Sequence, residues 1–217
     1  MQVSDAQLNL SLDELLTTTR CVRKRLNFER RVPRELIKEC IDIALQAPNG
    51  SNRQRWNWMV VEDVAIKQKI AEFYREGFDI ERQLMADQLG TEVDELERTS
   101  LSDSVQYLLQ EIQNVPVMVI PTIEGRAEQW GVMQQASLWG SVLPPAWNFM
   151  LALRARGLGS AWTTIHLHKE KEVADLLGIP YQECTQAGLF PVAYTKGIDF
   201  KRGPRCDAGQ VIHWNQW

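Results

Sequence analysis

Apolar residues recur along this chain at two periods, and the period separates its helices from its strands. Ser11-Leu12-Asp13-Glu14 is a capping box, in which the Ser hydroxyl and the Glu carboxylate each accept from the other's backbone amide. Leu10 and Leu15 are spaced as its hydrophobic staple. It predicts a short helix through about Thr18. A second helix follows Pro33, whose fixed φ suits a first turn. Leu36, Ile37, Cys40, Ile41, Ala44 and Leu45 recur at helical spacing, and Pro48 and Gly50 end the run. A polar loop, Asn49 to Arg55, leads into a strand from Trp58 to Val61. Asp63 then caps a third helix carrying Ile66, Ile70 and Phe73.

Residues 75–113 are polar and helical in tendency, with turn signals at Gly77, Gly90 and Ser102, and read as an inserted helical lid. Val115 to Ile120 is a short buried strand, with Pro116 placing it at a strand start or an edge. Trp130 to Arg156 is a long helical pattern, expected to break or kink at Pro144-Pro145. Its second half, with Trp147, Met150, Leu151 and Leu153, is apolar enough for a central helix, stopped by Gly157 and Gly159. Ser160 to Ile165 reads as a strand, Lys169 to Leu177 as a helix stopped by Gly178, and Ala187 to Tyr194 as a strand. The tail, 201–217, is basic and then aromatic, with no partner in its own segment.

This order gives an α+β fold: a central, mostly antiparallel sheet of about four to five strands surrounded by helices. The expected organisation is a single domain over 1–217, with a helical insertion at 75–113 and a C-terminal arm at 201–217. Gly157-Leu158-Gly159 follows a helix and precedes a strand, the reverse of the context a dinucleotide-binding glycine loop needs, so a Rossmann site is rejected. Composition narrows the class further. Hydrophobic residues make up 44% and charged residues 24%, which is globular rather than disordered. A net charge of −4 argues against a nucleic-acid partner. No apolar run approaches the roughly 20 residues that span a bilayer, and the N-terminus lacks a signal-peptide pattern. Cys21, Cys40, Cys184 and Cys206 are scattered, which fits a reduced cytoplasmic protein.

Two stretches carry candidate chemistry. In Thr19-Arg20-Cys21-Val22-Arg23-Lys24-Arg25, cations just after a short helix can face one anion together. Arg pairs with a phosphate in bidentate fashion. The plainer reading is a solvated basic face, and the stretch alone favours it. In Ala47-Pro48-Asn49-Gly50-Ser51-Asn52-Arg53-Gln54-Arg55-Trp56, carboxamides and loop amides can satisfy the edge of a planar heterocycle. The alternative is a helix-to-strand turn chosen for its geometry, and spacing leaves both open. His166 and His168 alternate on an expected strand end, too few ligands for a metal site. Trp130, Trp139 and Trp147 read as core or dimer face.

Together these stretches resemble the nitroreductase family of FMN enzymes. That family opens with a basic R-x-S-x-[RK]-like segment, followed by a helix ending in A-P-S-x-x-N-x-Q-P-W. Here the second motif reads APNGSNRQRW: Pro48, Asn52, Gln54 and Trp56 match, while Asn49 replaces a common Ser and Arg55 a common Pro. Cys21 stands where a small hydroxyl residue is frequent. ALRARGLGSAWTTI and FKRGPR continue the likeness over essentially the whole chain outside 75–113. The resemblance implies FMN held between the protomers of a homodimer. Arg20 and Arg205, with Lys201, would grip the phosphate and ribityl chain. Arg23 or Lys24, according to register, would lie near flavin N1 and O2. The loop with Pro48, Asn49, Gly50, Asn52 and Gln54 would reach FMN from the partner protomer. Backbone groups of Trp162, Thr164 and Ile165 would line the edge near N5, where some relatives carry an acidic residue and a Gly. The implied activity is ping-pong electron transfer from NAD(P)H to a small planar electron-poor acceptor, nitroaromatic or quinone in type. Reductive dehalogenation, flavin breakdown and turnover-free flavin binding are the alternatives within the likeness.

Overall fold

A computed structural model describes residues 7–90, 103–128 and 130–217. Its helices are α1 (Leu12–Thr18), α2 (Arg34–Ala44), α3 (Val64–Leu89), α4 (Asp103–Glu111), α5 (Val132–Ala155) and α6 (Glu170–Leu177). Its strands are β1 (Leu26–Asn27), β2 (Trp56–Val61), β3 (Val117–Glu124), β4 (Leu158–Ser160), β5 (Cys184–Gln186) and β6 (Phe190–Thr195). All six strands form one sheet, and every ladder is antiparallel. β3 pairs with β2, β5 and β6, and β6 also pairs with β1 and β4. The α+β expectation holds, with two departures. β1 is too short to carry a period, and the expected strand at 187–194 forms only from Phe190 to Thr195, with a separate short strand, β5, just before it at Cys184–Gln186.

β3 explains why the sheet is central. Its side chains alternate between two cores: Met118 and Ile120 pack with Ile70, Ala71 and Tyr74 of α3, while Val117 and Val119 pack with the α2 and α5 residues Ile37, Cys40, Phe149 and Leu153. A strand buried on both faces reads as an unbroken apolar run, and this one does. Helices thus cover both sides, α2 and α5 on one and α3 on the other.

Both capped helices start where the sequence places them. Ser11 and Glu14 make the reciprocal capping box, and Asp63 accepts from the Ile66 amide. The insertion differs from expectation. No turn occurs at Gly77. α3 runs unbroken through it to Gly90, whose φ of 63° closes the helix in the left-handed region. Gly77 is a close approach instead: a Cβ there would sit 2.4 Å from the carbonyl oxygen of Ile165. The expected turn at Ser102 lies outside the described residues.

The expected break at Pro144-Pro145 is absent too, since α5 spans both prolines as one helix. An interior proline costs about 3 kcal/mol. Burying Val142, Phe149, Met150 and Leu153 contributes roughly 1.5–3 kcal/mol each, and that packing keeps the helix whole. Trp147 is not part of this core; it is 38% exposed. No helix among the described residues is long and apolar enough to cross a membrane.

Candidate functional site

The expected site residues fall into two regions. The first is built on the basic segment after α1. The Val22 amide donates to the Ser160 carbonyl at 2.8 Å, and Cys21 forms a parallel bridge with Ser160, so the segment lies along β4. Beyond β4 the expected strand to Ile165 does not continue. Thr163 exchanges backbone hydrogen bonds with Leu189 at 3.1 and 2.8 Å. The chain then turns into a single 3₁₀ helix, Ile165–Lys169, preceded by Thr164. Gly77 holds that turn from behind. The Trp162 indole donates to the Ala187 carbonyl at 3.2 Å.

Four cations follow α1 in close succession, and the fold gives them different surroundings. Arg25 is structural: it pairs with Asp199 at 2.5 Å, donates to the Lys196 carbonyl and lies over Phe200. Lys24 faces α4, where Asp103 is 3.5 Å away at an exposed position. Arg23 is half-buried on the opposite side, near the buried Tyr74 phenol, whose hydroxyl meets the Thr163 hydroxyl at 3.0 Å. Burial raises the Tyr74 pKa, against the opposing pull of that hydrogen bond and of the Arg23 charge. Arg20 is half-buried and packs over Gly203 so tightly that a Cβ there would overlap its guanidinium. Among the described residues neither Arg20 nor Arg23 has a carboxylate partner. Arg154 of α5 is buried and donates to the Ile198 carbonyl at 2.9 Å. The fold therefore sets Cys21 against β4 at Ser160 and brings Arg23 close to Tyr74, which reaches Thr163. It sets the 201–205 segment against Arg20. Arg205 itself is exposed and donates to the Pro204 carbonyl, and Lys201 is exposed.

The second region is the loop between α2 and β2. Ser51, Asn52 and Gln54 all have positive φ, at 54°, 51° and 51°. Three non-glycine residues in the left-handed region within four positions store strain, which persists only where surrounding bonds fix it. Here the Gln54 amide donates to Asn49 Oδ1 at 3.0 Å, and the Gln54 carboxamide donates to Asn52 Oδ1 at 3.1 Å. The Gly50 amide donates to Ser141 Oγ at 2.9 Å, and that hydroxyl donates to the Ser137 carbonyl at 2.7 Å. A Cβ on Gly50 would come within 2.8 Å of Ser137 Oγ, so glycine lets the loop seat on α5. Loop and helix enclose a cleft of about 520 Å³. Pro48, Asn49, Gly50, Asn52 and Gln54 are gathered here, apart from the first region.

Sequence reasoning missed Tyr74, Thr163, Ser137 and Ser141. Tyr74 falls just before the supposed insertion, and the serines look like ordinary helix surface, so no local signal marks them. The histidine pair is corrected. His166 and His168 sit on the 3₁₀ turn rather than a strand, and they do not share a side. His166 is fully buried, which pushes its pKa down to about 3, while His168 meets Glu81 at 2.7 Å. No group of three or more metal-ligating side chains exists among the described residues.

An antiparallel sheet wrapped by these helices is the fold of several solved flavoproteins. A BluB-like flavoprotein from Clostridium difficile 630 superposes with a TM-score of 0.73 at 18% identity, covering 96% of this chain and 100% of that one. Iodotyrosine deiodinase bound to FMN and 3-iodo-L-tyrosine gives 0.67 at 20%, covering 95% and 100%. An FMN- and NADPH-dependent nitroreductase from sphigopyxis sp. strain HMH gives 0.66 at 19%, covering 96% and 100%. No curated protein sequence matches the chain. The nitroreductase family model matches residues 16–194, and the chain belongs to that family.

Proposed function

We propose that this protein is an FMN-dependent oxidoreductase that passes electrons from NAD(P)H to a small planar electron-poor acceptor, nitroaromatic or quinone in type, by a ping-pong mechanism. The observation that carries the reading is the pair Arg20 and Arg23. They are half-buried guanidiniums without a carboxylate partner among the described residues, and they lie beside β4 with the 201–205 segment against Arg20. A buried or half-buried cation left unpaired points to an anionic ligand.

The donor set fits FMN. Arg20 and Arg205 supply bidentate donors for a monophosphate, with Lys201 beside them, and Cys21 lies within the same segment. The backbone of Trp162, Thr164 and Ile165 offers amides and carbonyls to a heterocycle edge. Arg23 rather than Lys24 faces that side, so Arg23 is the cation assigned to the N1 and O2 edge. When bound, FMN supplies two-electron chemistry by accepting and giving a hydride at N5. The protein's own part is orientation and electrostatics. Arg23 holds a positive charge where reduction places a negative one, and the Tyr74–Thr163 hydrogen bond fixes the backbone beside it.

The loop of Pro48, Asn49, Gly50, Asn52 and Gln54 is separate from this set, and it completes the site from a second protomer in our reading. The tail supports a homodimer, since Trp214 and Trp217 are 84% and 103% exposed. Obligate interfaces exceed about 2,000 Å² and are rich in such residues. Removing residues 206–217 is expected to weaken both dimerisation and FMN binding; sedimentation of the full chain as an FMN-bound monomer refutes the arrangement. The test of function is the visible spectrum of the purified protein, followed by anaerobic titration with NADH and NADPH. Flavin absorbance bleached by either nucleotide and restored by a nitroaromatic or quinone is the expected result. A colourless protein that takes up no FMN overturns the reading.

A further inference from the structure

The segment after β6 carries two of the cations assigned to the cofactor phosphate, Lys201 and Arg205, yet its own backbone does little to hold it. Among the described residues no backbone hydrogen bond joins 201–205 to another element. The Arg20 guanidinium packs over Gly203. Where the segment starts is set by the stretch before it, 196–200, and two arginines hold that stretch. Arg25 donates from Nε to the Lys196 carbonyl at 2.9 Å. Its guanidinium lies so close to Gly197 that a Cβ there would come within 2.7 Å of it. The Lys196 amide donates in turn to the Arg25 carbonyl at 2.7 Å. Arg154 reaches the same stretch from α5. It donates to the Ile198 carbonyl at 2.9 Å and lies over the Phe200 ring at 4.8 Å, a ring that Arg25 also covers at 4.2 Å.

Arg154 is a costly residue to place there. It is 4% exposed, in the last turn of α5, and among the described residues no carboxylate pairs with it. Its Nε and Nη1 are buried without a hydrogen-bond partner. Burial, and then the charge of Arg25, hold its pKa below the ordinary guanidinium value. Taking a guanidinium out of water beside a second one is unfavourable, and an apolar side chain of similar length would fill the space at lower cost. What the guanidinium adds is a grip on a carbonyl and an aromatic face of the 196–200 stretch.

We propose that Arg154 is a positioning residue for the cofactor phosphate: by fixing Ile198 and Phe200 it sets where the 201–205 segment passes Arg20 and presents Lys201 and Arg205. This role rests on the FMN reading. Arg154 acts through the segment and not on the phosphate itself.

Equilibrium fluorescence titration of the full chain with FMN and with riboflavin, which has the same ring and ribityl chain without the phosphate, tests this. Wild type is expected to prefer FMN. Arg154→Met should lower FMN affinity about tenfold, as expected when a charge-assisted contact is loosened, and leave riboflavin affinity unchanged. Arg154→Lys should recover part of the loss, since an ammonium can still donate to Ile198. Phe200→Leu keeps both guanidiniums and removes the ring they cover, so it should reduce the preference for FMN in the same direction; it carries the test if Arg154→Met does not fold, which thermal unfolding reveals. Equal losses of FMN and riboflavin affinity would mark a general structural role and overturn the proposal. So would a wild-type preference for FMN in a folded Arg154→Met protein. A loss in Arg154→Met with none in Phe200→Leu would make charge, not placement, the cause, and overturns it too. A wild-type chain that binds neither flavin overturns the oxidoreductase reading, and this role with it.

Discussion

The two regions that carry the candidate site are built on opposite principles. The basic segment along β4 is held by backbone pairing: Val22 to Ser160, and Thr163 to Leu189 in both directions. Its backbone is relaxed, and its unmet demand lies in the side chains of Arg20 and Arg23. The 49–55 loop is the reverse. Its backbone is strained at Ser51, Asn52 and Gln54, and its side chains satisfy one another through Asn49, Asn52 and Ser141. Among the described residues no hydrogen bond joins the two regions. A charge lost from the first should therefore change ligand affinity with little effect on folding. A backbone change in the second should alter local order first.

The largest expected effect tests the first half of that contrast. Arg20→Ala and Arg205→Ala should each weaken FMN binding by about 1.5–3 kcal/mol, roughly ten- to a hundredfold, with Arg31→Ala as a surface control. Unchanged affinity in both variants removes the phosphate assignment. Gly77→Ala probes the support behind the first region. The added Cβ meets the Ile165 carbonyl, and overpacking costs about 1–3 kcal/mol, less up to about 1 kcal/mol regained in helix propensity. A fall in Tm of several degrees is expected, about 2–4 °C per kcal/mol at this size. An unchanged Tm means that the 3₁₀ turn can move aside.

A smaller effect sharpens the assignment within the basic segment. Arg23→Gln should lower the flavin midpoint potential by tens of millivolts, since about 30 mV corresponds to 1.4 kcal/mol for a two-electron couple. Lys24→Gln, which loses only an exposed contact with Asp103, should leave it near wild type. Redox titration of both variants decides, and equal shifts in the two would erase the distinction between their faces.

A different kind of test is the pH dependence from His166. Its pKa is lowered from 6.5 to about 3 by burial, so the unfolded chain binds more protons than the folded one between those values. The stability it contributes is fully present above pH 6.5 and is lost progressively as pH falls towards 3. Thermal melts from pH 7 to pH 4 should show a steeper decline for wild type than for His166→Gln. Parallel slopes would show that this histidine does not drive the loss.

How much of this was legible beforehand depended on how local each signal is. Ser11 with Glu14, Asp63, Gly90 and Gly178 punctuate helices through bonds within a few residues, so the sequence carried them. The double-sided burial of β3 was written in its apolar run. The motif residues of both regions were named from the sequence because their types and spacing are distinctive. Their separation into two regions came only from the family resemblance, because it depends on which strand each segment pairs with. Gly77 shows the limit clearly: within its own segment it looks like a turn, and only the approach of Ile165 from 88 residues away makes it a contact.

By itself, then, the sequence determined the capped helix starts, the two-period pattern that makes an α+β fold, and the list of cations and carboxamides available for a planar anionic cofactor. The tertiary structure decided which of those cations remain unpaired. Arg25 and Lys24 are consecutive neighbours of Arg23 and carry the same charge. They are taken up by Asp199 and Asp103, on segments 79 to 174 residues distant, and Arg23 is not. The same holds for Pro144 and Pro145, whose helix-breaking tendency is local while the packing that overrides it comes from α2 and the sheet. Propensity and capping act over one turn. Burial and charge pairing act across the fold, where they determine which groups remain available to a ligand.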